Sequence, residues 1–189
     1  MTDRSTDSQV DRLFVDRWSP RAFDGSQLSE TDLNALFEAA RWAPSAFNAQ
    51  PWRLLYAVPG DANWDRFLTL LVPANQAWAK NASLLVFFVS AATSRGKPSH
   101  THSFDTGSAW MSLALQAQIM GLHAHGMSGV DFDAARVELG VPDDFRIEAA
   151  AAVGRQTDVS VLPEALRDKE VPSDRKPIAE VAFAGNFVA

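Results

Sequence analysis

The chain has 189 residues, 47% hydrophobic and 21% charged, with 17 Lys+Arg against 23 Asp+Glu and a net charge of −6. That apolar content supports one sizeable core and excludes bulk disorder, while the acidic balance argues against a general nucleic-acid binder, which needs a basic surface. The lack of any cysteine removes disulfide frameworks, thiolate zinc sites, iron–sulfur clusters and cysteine nucleophiles together.

The first nine residues are polar and lack the apolar stretch of a secretory signal. The longest apolar runs, 84–92 and 148–153, fall short of the ~20 residues a membrane helix needs, so a cytoplasmic protein with no membrane partner is expected. Val10, Leu13, Phe14 and Trp18 are spaced as on a short amphipathic helix. Ser29, with Asp32 three positions on, reads as a helix start. That helix is expected to bury Leu33, Leu36, Phe37 and Ala40 and to stop before Pro44. Residues 53–58 read as a strand ending at Pro59-Gly60-Asp61. Trp64, Phe67, Leu68 and Leu71 predict a helix broken at Pro73, and a second short helix is expected over 75–81.

Residues 84–89 (LLVFFV) are continuous and β-prone, which predicts a buried central strand. Residues 93–103 are polar, contain Gly96 and Pro98, and are expected to form a long mobile loop. A long helix is expected over 104–120, a strand or extended segment over 123–130, and a short helix capped by Asp131 and ended at Gly140. Residues 146–153 read as a strand, although their alanines leave a helix open. Helices and strands mix without βαβ alternation, so the fold class is α+β rather than doubly wound. One domain over 1–189 is expected, with a tail from about 159 that wraps the body or reaches a partner subunit.

Three segments carry possible chemistry. In Arg17-Trp18-Ser19-Pro20-Arg21 two arginines four apart flank a serine where a helix should end. Guanidinium groups bind phosphate bidentately, and the alternative is a solvated surface pair. The loop Pro44-Ser45-Ala46-Phe47-Asn48-Ala49-Gln50-Pro51 is dense in hydroxyl and amide groups held between prolines. It can present donors and acceptors to a planar heterocycle, or merely satisfy its own turns. In Gly126-Met127-Ser128-Gly129 the glycines allow close backbone approach to a ligand, with an ordinary turn as the alternative. His100 with His102, and His123 with His125, have i, i+2 spacing that would share a strand face, as metals can use, but no zinc signature accompanies them. No metal site is expected.

The first two segments together resemble the nitroreductase family of FMN-dependent oxidoreductases, whose R-x-S-x-[KR]-x-F and A-P-S-x-x-N-x-Q-P-W patterns occur here in order. Weaker matches include Asn75-Gln76 with Trp78, Asp105-Thr106-Gly107, Leu139-Gly140-Val141-Pro142 and Arg175-Lys176-Pro177. The resemblance implies an α+β subunit in an intertwined homodimer, with two FMN sites at the interface and C-terminal tails exchanged. It implies that Arg17 and Arg21, with Arg175, hold the FMN phosphate and nearby ribityl oxygens, and that Trp18 and Ser19 contact that end. Pro44, Ser45 and Asn48 would come from the other subunit. Asn75 would meet the pyrimidine edge, and Met127, Ser128 and Gly129 would lie along one flavin face with a backbone N–H near N5. Ser173 and Ser128 stand where many members carry a lysine and an acidic residue.

The implied activity is ping-pong transfer of hydride from NAD(P)H through flavin N5 to a nitroaromatic, quinone or similar conjugated acceptor. No side chain is assigned as catalytic acid or base, because the flavin carries the chemistry. The other readings are a specialised reaction such as dehalogenation or flavin cleavage, a flavin-storage or sensing protein without turnover, and a metal-binding or structural protein using the histidine pairs.

Overall fold

Leu84 to Val89 offers no polar side chain to either face, so its strand must be covered on both sides. The computed structural model describes residue 4 and residues 6–187. Its elements in chain order are α1 (Arg12–Asp16), α2 (Glu30–Arg41), β1 (Trp52–Ala57), α3 (Trp64–Thr69), α4 (Pro73–Ala79), β2 (Leu84–Ala91), β3 (Thr93–Ser94), β4 (Lys97–Pro98), α5 (His102–Ile119), β5 (His123–Met127), α6 (Phe132–Glu138), β6 (Phe145–Gly154) and α7 (Glu164–Arg167). The main sheet is antiparallel throughout, in the order β1-β2-β6-β5. This is the expected α+β class.

Strand alternation sorts the core into two layers. Leu85, Phe87 and Val89 join Met127, Ala150 and Ala152 on one face, under Phe23, Phe67 and Trp78. Leu84, Val86 and Phe88 join Ala124, Ala151 and Val153 on the other, under Leu36 and Ala40 of α2 and Ala109, Leu113 and Ala117 of α5. The alanines of β6 have weak intrinsic strand preference, but β6 is paired along both edges, by β2 and β5. Tertiary pairing therefore decides between the strand and helix readings.

Local signals hold at the helix ends. Ser29 Oγ accepts from the Asp32 N–H at 3.1 Å, and the Asp32 carboxylate accepts from the Ser29 N–H at 3.1 Å, a reciprocal capping box. Leu36 and Ala40 are buried as expected, whereas Leu33 and Phe37 are half-buried at the edge of the layer. Pro73 starts α4 instead of breaking α3, because a missing N–H costs nothing in a first turn. Helix α1 forms but buries nothing, leaving Val10 and Phe14 exposed.

Residues 93–103 are not one loop. β3 and β4 pair Ser94 with Lys97 and Thr93 with Pro98, and α5 begins at His102. The connecting residues Arg95 and Gly96 have φ of 52° and 74°, as a two-residue hairpin turn of type I′ requires. In the tail Leu162 is buried, while the residues from Ser173 to Phe187 are exposed. No helix among the described residues is long and apolar enough to cross a membrane.

Phe23, 1% exposed, packs over the end of β6 against Trp78, with ring centroids 6.2 Å apart. A Cβ at Gly154 would lie 2.9 Å from Phe23 Cδ1 and 3.2 Å from both Phe23 Cγ and Ser83 Oγ. Gly154→Ala is expected to lower stability by about 1–3 kcal/mol through this overpacking. The check is the urea midpoint at unchanged slope; an unmoved midpoint would show that Phe23 yields freely.

Candidate functional site

Residues 17–23 form an arm across the sheet end, anchored by the burial of Ala22 and Phe23. Glu170 Oε1 accepts from the N–H groups of Arg21 (2.6 Å) and Ala22 (2.8 Å). The Ala22 carbonyl accepts from Thr157 N at 2.9 Å, and Asp24 N donates to the Arg155 carbonyl at 3.1 Å. Arg21 Nη1 donates to the Lys169 carbonyl at 3.3 Å and lies 3.6 Å from Glu170 Oε2. The start of the tail is thus tied to this chain's own arm.

Arg17 is half-buried, and its Nη1 donates to Ser19 Oγ at 3.3 Å. Arg4 Nη1 donates to the carbonyls of Val15 (2.6 Å) and Arg17 (3.1 Å). Burial, then the charges of Arg175 and Arg4, pulls the Arg17 pKa below the ordinary guanidinium value. Among the described residues no carboxylate lies within ion-pair distance of Arg17. A neighbouring cleft of about 630 Å³ is lined by Arg4, Asp7, Phe14, Asp174, Arg175 and Ile178, with Arg17 outside its lining. Arg4, Arg17 and Arg175 bring three guanidinium groups to this end of the arm, donors suited to an anion.

β5 runs beneath the arm. His125 Nδ1 lies 3.0 Å from the Pro20 carbonyl, and its ring sits 4.7 Å from that of Trp78. His123 meets Trp18 edge-on at 6.4 Å, and its buried Nδ1 has no hydrogen-bond partner. Burial is the main cause that lowers both histidine pKa values, reinforced by Arg17 at His123 and by Arg21 at His125.

Farther along the same layer, Asn75 Nδ2 donates to the Gly129 carbonyl at 3.1 Å, which also accepts from Val72 N at 3.0 Å. A Cβ at Gly129 would lie 2.5 Å from Asn75 Nδ2 and 2.8 Å from Val72 Cγ2, so only glycine fits this seat. Met127 is buried, Ser128 exposed and Gly129 half-buried. Among the described residues the backbone N–H groups of Ser128 and Gly129 have no protein acceptor.

Pro44, Ser45 and Asn48 lie against the other layer. Ser45 Oγ accepts from Gln50 N at 3.0 Å. Asp105, 3% exposed, accepts from Ala46 N at 3.2 Å and from Thr101 Oγ1 at 3.1 Å, pinning the loop to the start of α5. Phe47, Asn48 and Gln50 have φ of 52°, 55° and 46°. Asparagine tolerates that region, but a bulky aromatic there is strained. Among the described residues no hydrogen bond joins this loop to the arm or to Asn75 and Gly129.

The fold therefore gathers Arg17, Trp18, Ser19, Arg21 and Arg175 at one end and Asn75 with Met127, Ser128 and Gly129 in the same layer. It holds Pro44, Ser45 and Asn48 apart. The His100–His102 pair shares no strand face, because α5 starts at His102, whose Nδ1 lies 2.7 Å from Ser90 Oγ. Among the described residues no group of three or more His, Asp or Glu is placed to hold a metal ion. Sequence reading missed Arg4, Asp105 as the loop anchor, and Glu170. Only Asp105 carried a signal, in the Asp105-Thr106-Gly107 match.

Comparison with known proteins agrees with this geometry. The profile described as the nitroreductase family matches residues 15–71. A solved structure of an oxidoreductase containing FMN is 50% identical, with the match covering 100% of this chain and 98% of that one, and superposes with a TM-score of 0.96. A Rhodopseudomonas palustris (strain TIE-1) protein provisionally named NADH dehydrogenase/NAD(P)H nitroreductase is 27% identical over 158 residues, 73% of this chain and 80% of that one. A provisionally named Desulfovibrio desulfuricans nitroreductase solved in complex with FMN shares the fold, with TM-score 0.75, 21% identity, and coverage of 97% and 100%. The chain belongs to the nitroreductase family.

The two histidines generate a pH prediction. Their folded pKa values lie below the unfolded value near ~6.5, so the unfolded state binds more protons below that pH. Their contribution is fully present above pH ~6.5 and is lost as pH falls toward the folded values. Replacing both by glutamine is expected to flatten the fall of the unfolding midpoint between about pH 7 and 5.5. An unchanged slope would mean that other groups set it.

Proposed function

We propose that the protein is an FMN-dependent oxidoreductase that moves electrons from NAD(P)H to a nitroaromatic, quinone or similar conjugated acceptor, acting as a homodimer. The observation that carries this reading is the cluster of cations Arg4, Arg17 and Arg175 beside the arm, in a chain of net charge −6. The 50%-identical structure containing FMN supports it. The donor set fits the cofactor: guanidinium groups for a phosphate, and unpaired Ser128 and Gly129 N–H groups with a close Asn75 for a flat polar heterocycle.

In this reading Arg17 and Arg175, joined by Arg4, hold the phosphate, and Ser19 adds a hydroxyl. Trp18 walls that end. Arg21 orders the arm through Glu170, alongside the phosphate contact that the family pattern implies. Asn75 orients the pyrimidine edge, with Met127, Ser128 and Gly129 along one ring face. Bound FMN supplies hydride chemistry at N5 in two alternating half-reactions, and the protein supplies position and shielding from water.

The homodimer rests on exposed apolar side chains: Phe14 on α1, Trp42 after α2, and Phe104, Met111 and Ile119 on α5. Large apolar side chains left exposed on neighbouring elements are what a contact surface between two copies would cover. A second copy on it brings Pro44, Ser45 and Asn48 to the flavin that the first copy's arm holds. The tail beyond Val171, with Phe183 and Phe187, embraces that copy. The chain acts as one domain in this arrangement.

Purified protein is expected to show flavin absorption near ~450 nm that bleaches on anaerobic addition of NADH or NADPH. Flavin that neither nucleotide bleaches would instead mean storage or sensing, and light scattering at monomer mass would remove the shared site. Arg17→Ala is expected to weaken FMN retention about tenfold or more by removing a charge-assisted contact. Unchanged flavin occupancy after dialysis would end that role.

A further inference from the structure

The hairpin turn of Arg95 and Gly96 breaks a local rule. A type I′ turn needs positive φ at both positions and favours Asn-Gly or Asp-Gly, yet arginine stands first, at φ 52°. A second residue of unsuitable type sits in the same conformation nearby, since Phe47 is held at φ 52°. The two strained residues meet, with the Arg95 guanidinium 6.0 Å from the centroid of the Phe47 ring. The contact is not a packing necessity, because Phe47 is 89% exposed and Arg95 is exposed as well. Local rules are broken most often where a side chain is held for function.

Charge points the same way. The chain is acidic, yet no Asp or Glu occurs from Arg66 to Phe104. Arg95 and Lys97 are exposed, and among the described residues neither is in an ion pair. Phe47 lies between Ser45 and Asn48, in the loop assigned above to the flavin. An exposed aromatic face under a guanidinium stacks a planar ring, and the guanidinium with a nearby ammonium binds an anion carried on that ring or on a sugar attached to it.

We propose that Phe47, Arg95 and Lys97 form a specificity subsite for a planar-ring ligand that carries an anionic group. The proposal rests on the oxidoreductase reading for its place beside the flavin. Two sources supply this chemistry: the 2′-phosphate of NADPH, which NADH lacks, or the acid group of an aromatic acceptor. In an alternating mechanism both ligands reach the flavin in turn, and they carry the anion at different distances from the reacting group, so the two pairs below distinguish them.

The experiment uses the purified holoprotein and Arg95→Asn. Asparagine suits the turn, so the hairpin stands while the charge is removed. Rates of flavin bleaching are compared for NADPH against NADH, and rates of reoxidation for 4-nitrobenzoate against 4-nitrobenzamide. The expected result is that the charged member of one pair is preferred, and that Arg95→Asn lowers this preference about tenfold or more. Loss in the nucleotide pair identifies the 2′-phosphate as the source, and loss in the acceptor pair identifies an acidic acceptor. No preference in either pair, or an equal fall for both members, overturns the subsite. Calorimetry with adenosine 2′,5′-bisphosphate against 5′-AMP, and with the two nitro compounds, gives the same comparison without turnover. A flavin that never bleaches defeats the oxidoreductase reading, while calorimetric selectivity lost in Arg95→Asn still upholds the subsite, and its absence overturns it.

Discussion

The structure depends on covering one strand on both faces. Leu84 to Val89 has no polar side chain, and burying it means packing elements above and below an antiparallel sheet. That requirement divides the candidate site. The arm, β5, α4 and Gly129 fall in one layer. The strained loop from Pro44 to Asn48 falls in the other, held by Asp105 at the start of α5. A sheet covered on both faces cannot bring these halves together through its own interior. The proposed second copy resolves this geometrically, and its contact surface is the exposed apolar side chains of α1 and α5.

Charge is distributed to match. An acidic chain brings Arg4, Arg17 and Arg175 together, where Arg175 disfavours the charge of both Arg4 and Arg17, and Arg4 disfavours that of Arg17. Such repulsion is tolerated because guanidinium remains protonated even when its pKa falls. The two histidines beneath the arm avoid adding to it. Burial keeps them neutral, so they act as polar packing under Trp18 and Pro20 instead of as further cations.

Strain is concentrated as well. Phe47, Asn48, Gln50 and Arg95 are the non-glycine residues with positive φ among those described, and three of them belong to one loop. Tertiary anchors hold these conformations, namely Asp105 for the loop and the Ser94–Lys97 pairing for the hairpin tip. A loop free of such anchors would relax.

Legibility followed the range of the interactions. The capping box at Ser29, the cap at Asp131 and the apolar run of β2 were readable because each is decided by neighbours a few residues apart or by hydrophobic pattern. The arm and the Pro-Ser-Asn loop were readable as motifs. The hairpin within 93–103 was not, because its turn uses an arginine where pattern reading looks for asparagine. Glu170 was not either, since it meets the Arg21 N–H 149 residues away in sequence. The alanine-rich β6 could have been helix until strands flanked it on both edges. By itself the sequence determined the capped helix starts, the sheet's buried strand and the family, because local sterics and hydrophobic periodicity act along the chain. The tertiary structure alone decided which charges converge, which loop is strained and which halves of the site stay apart, because those depend on through-space packing and electrostatics.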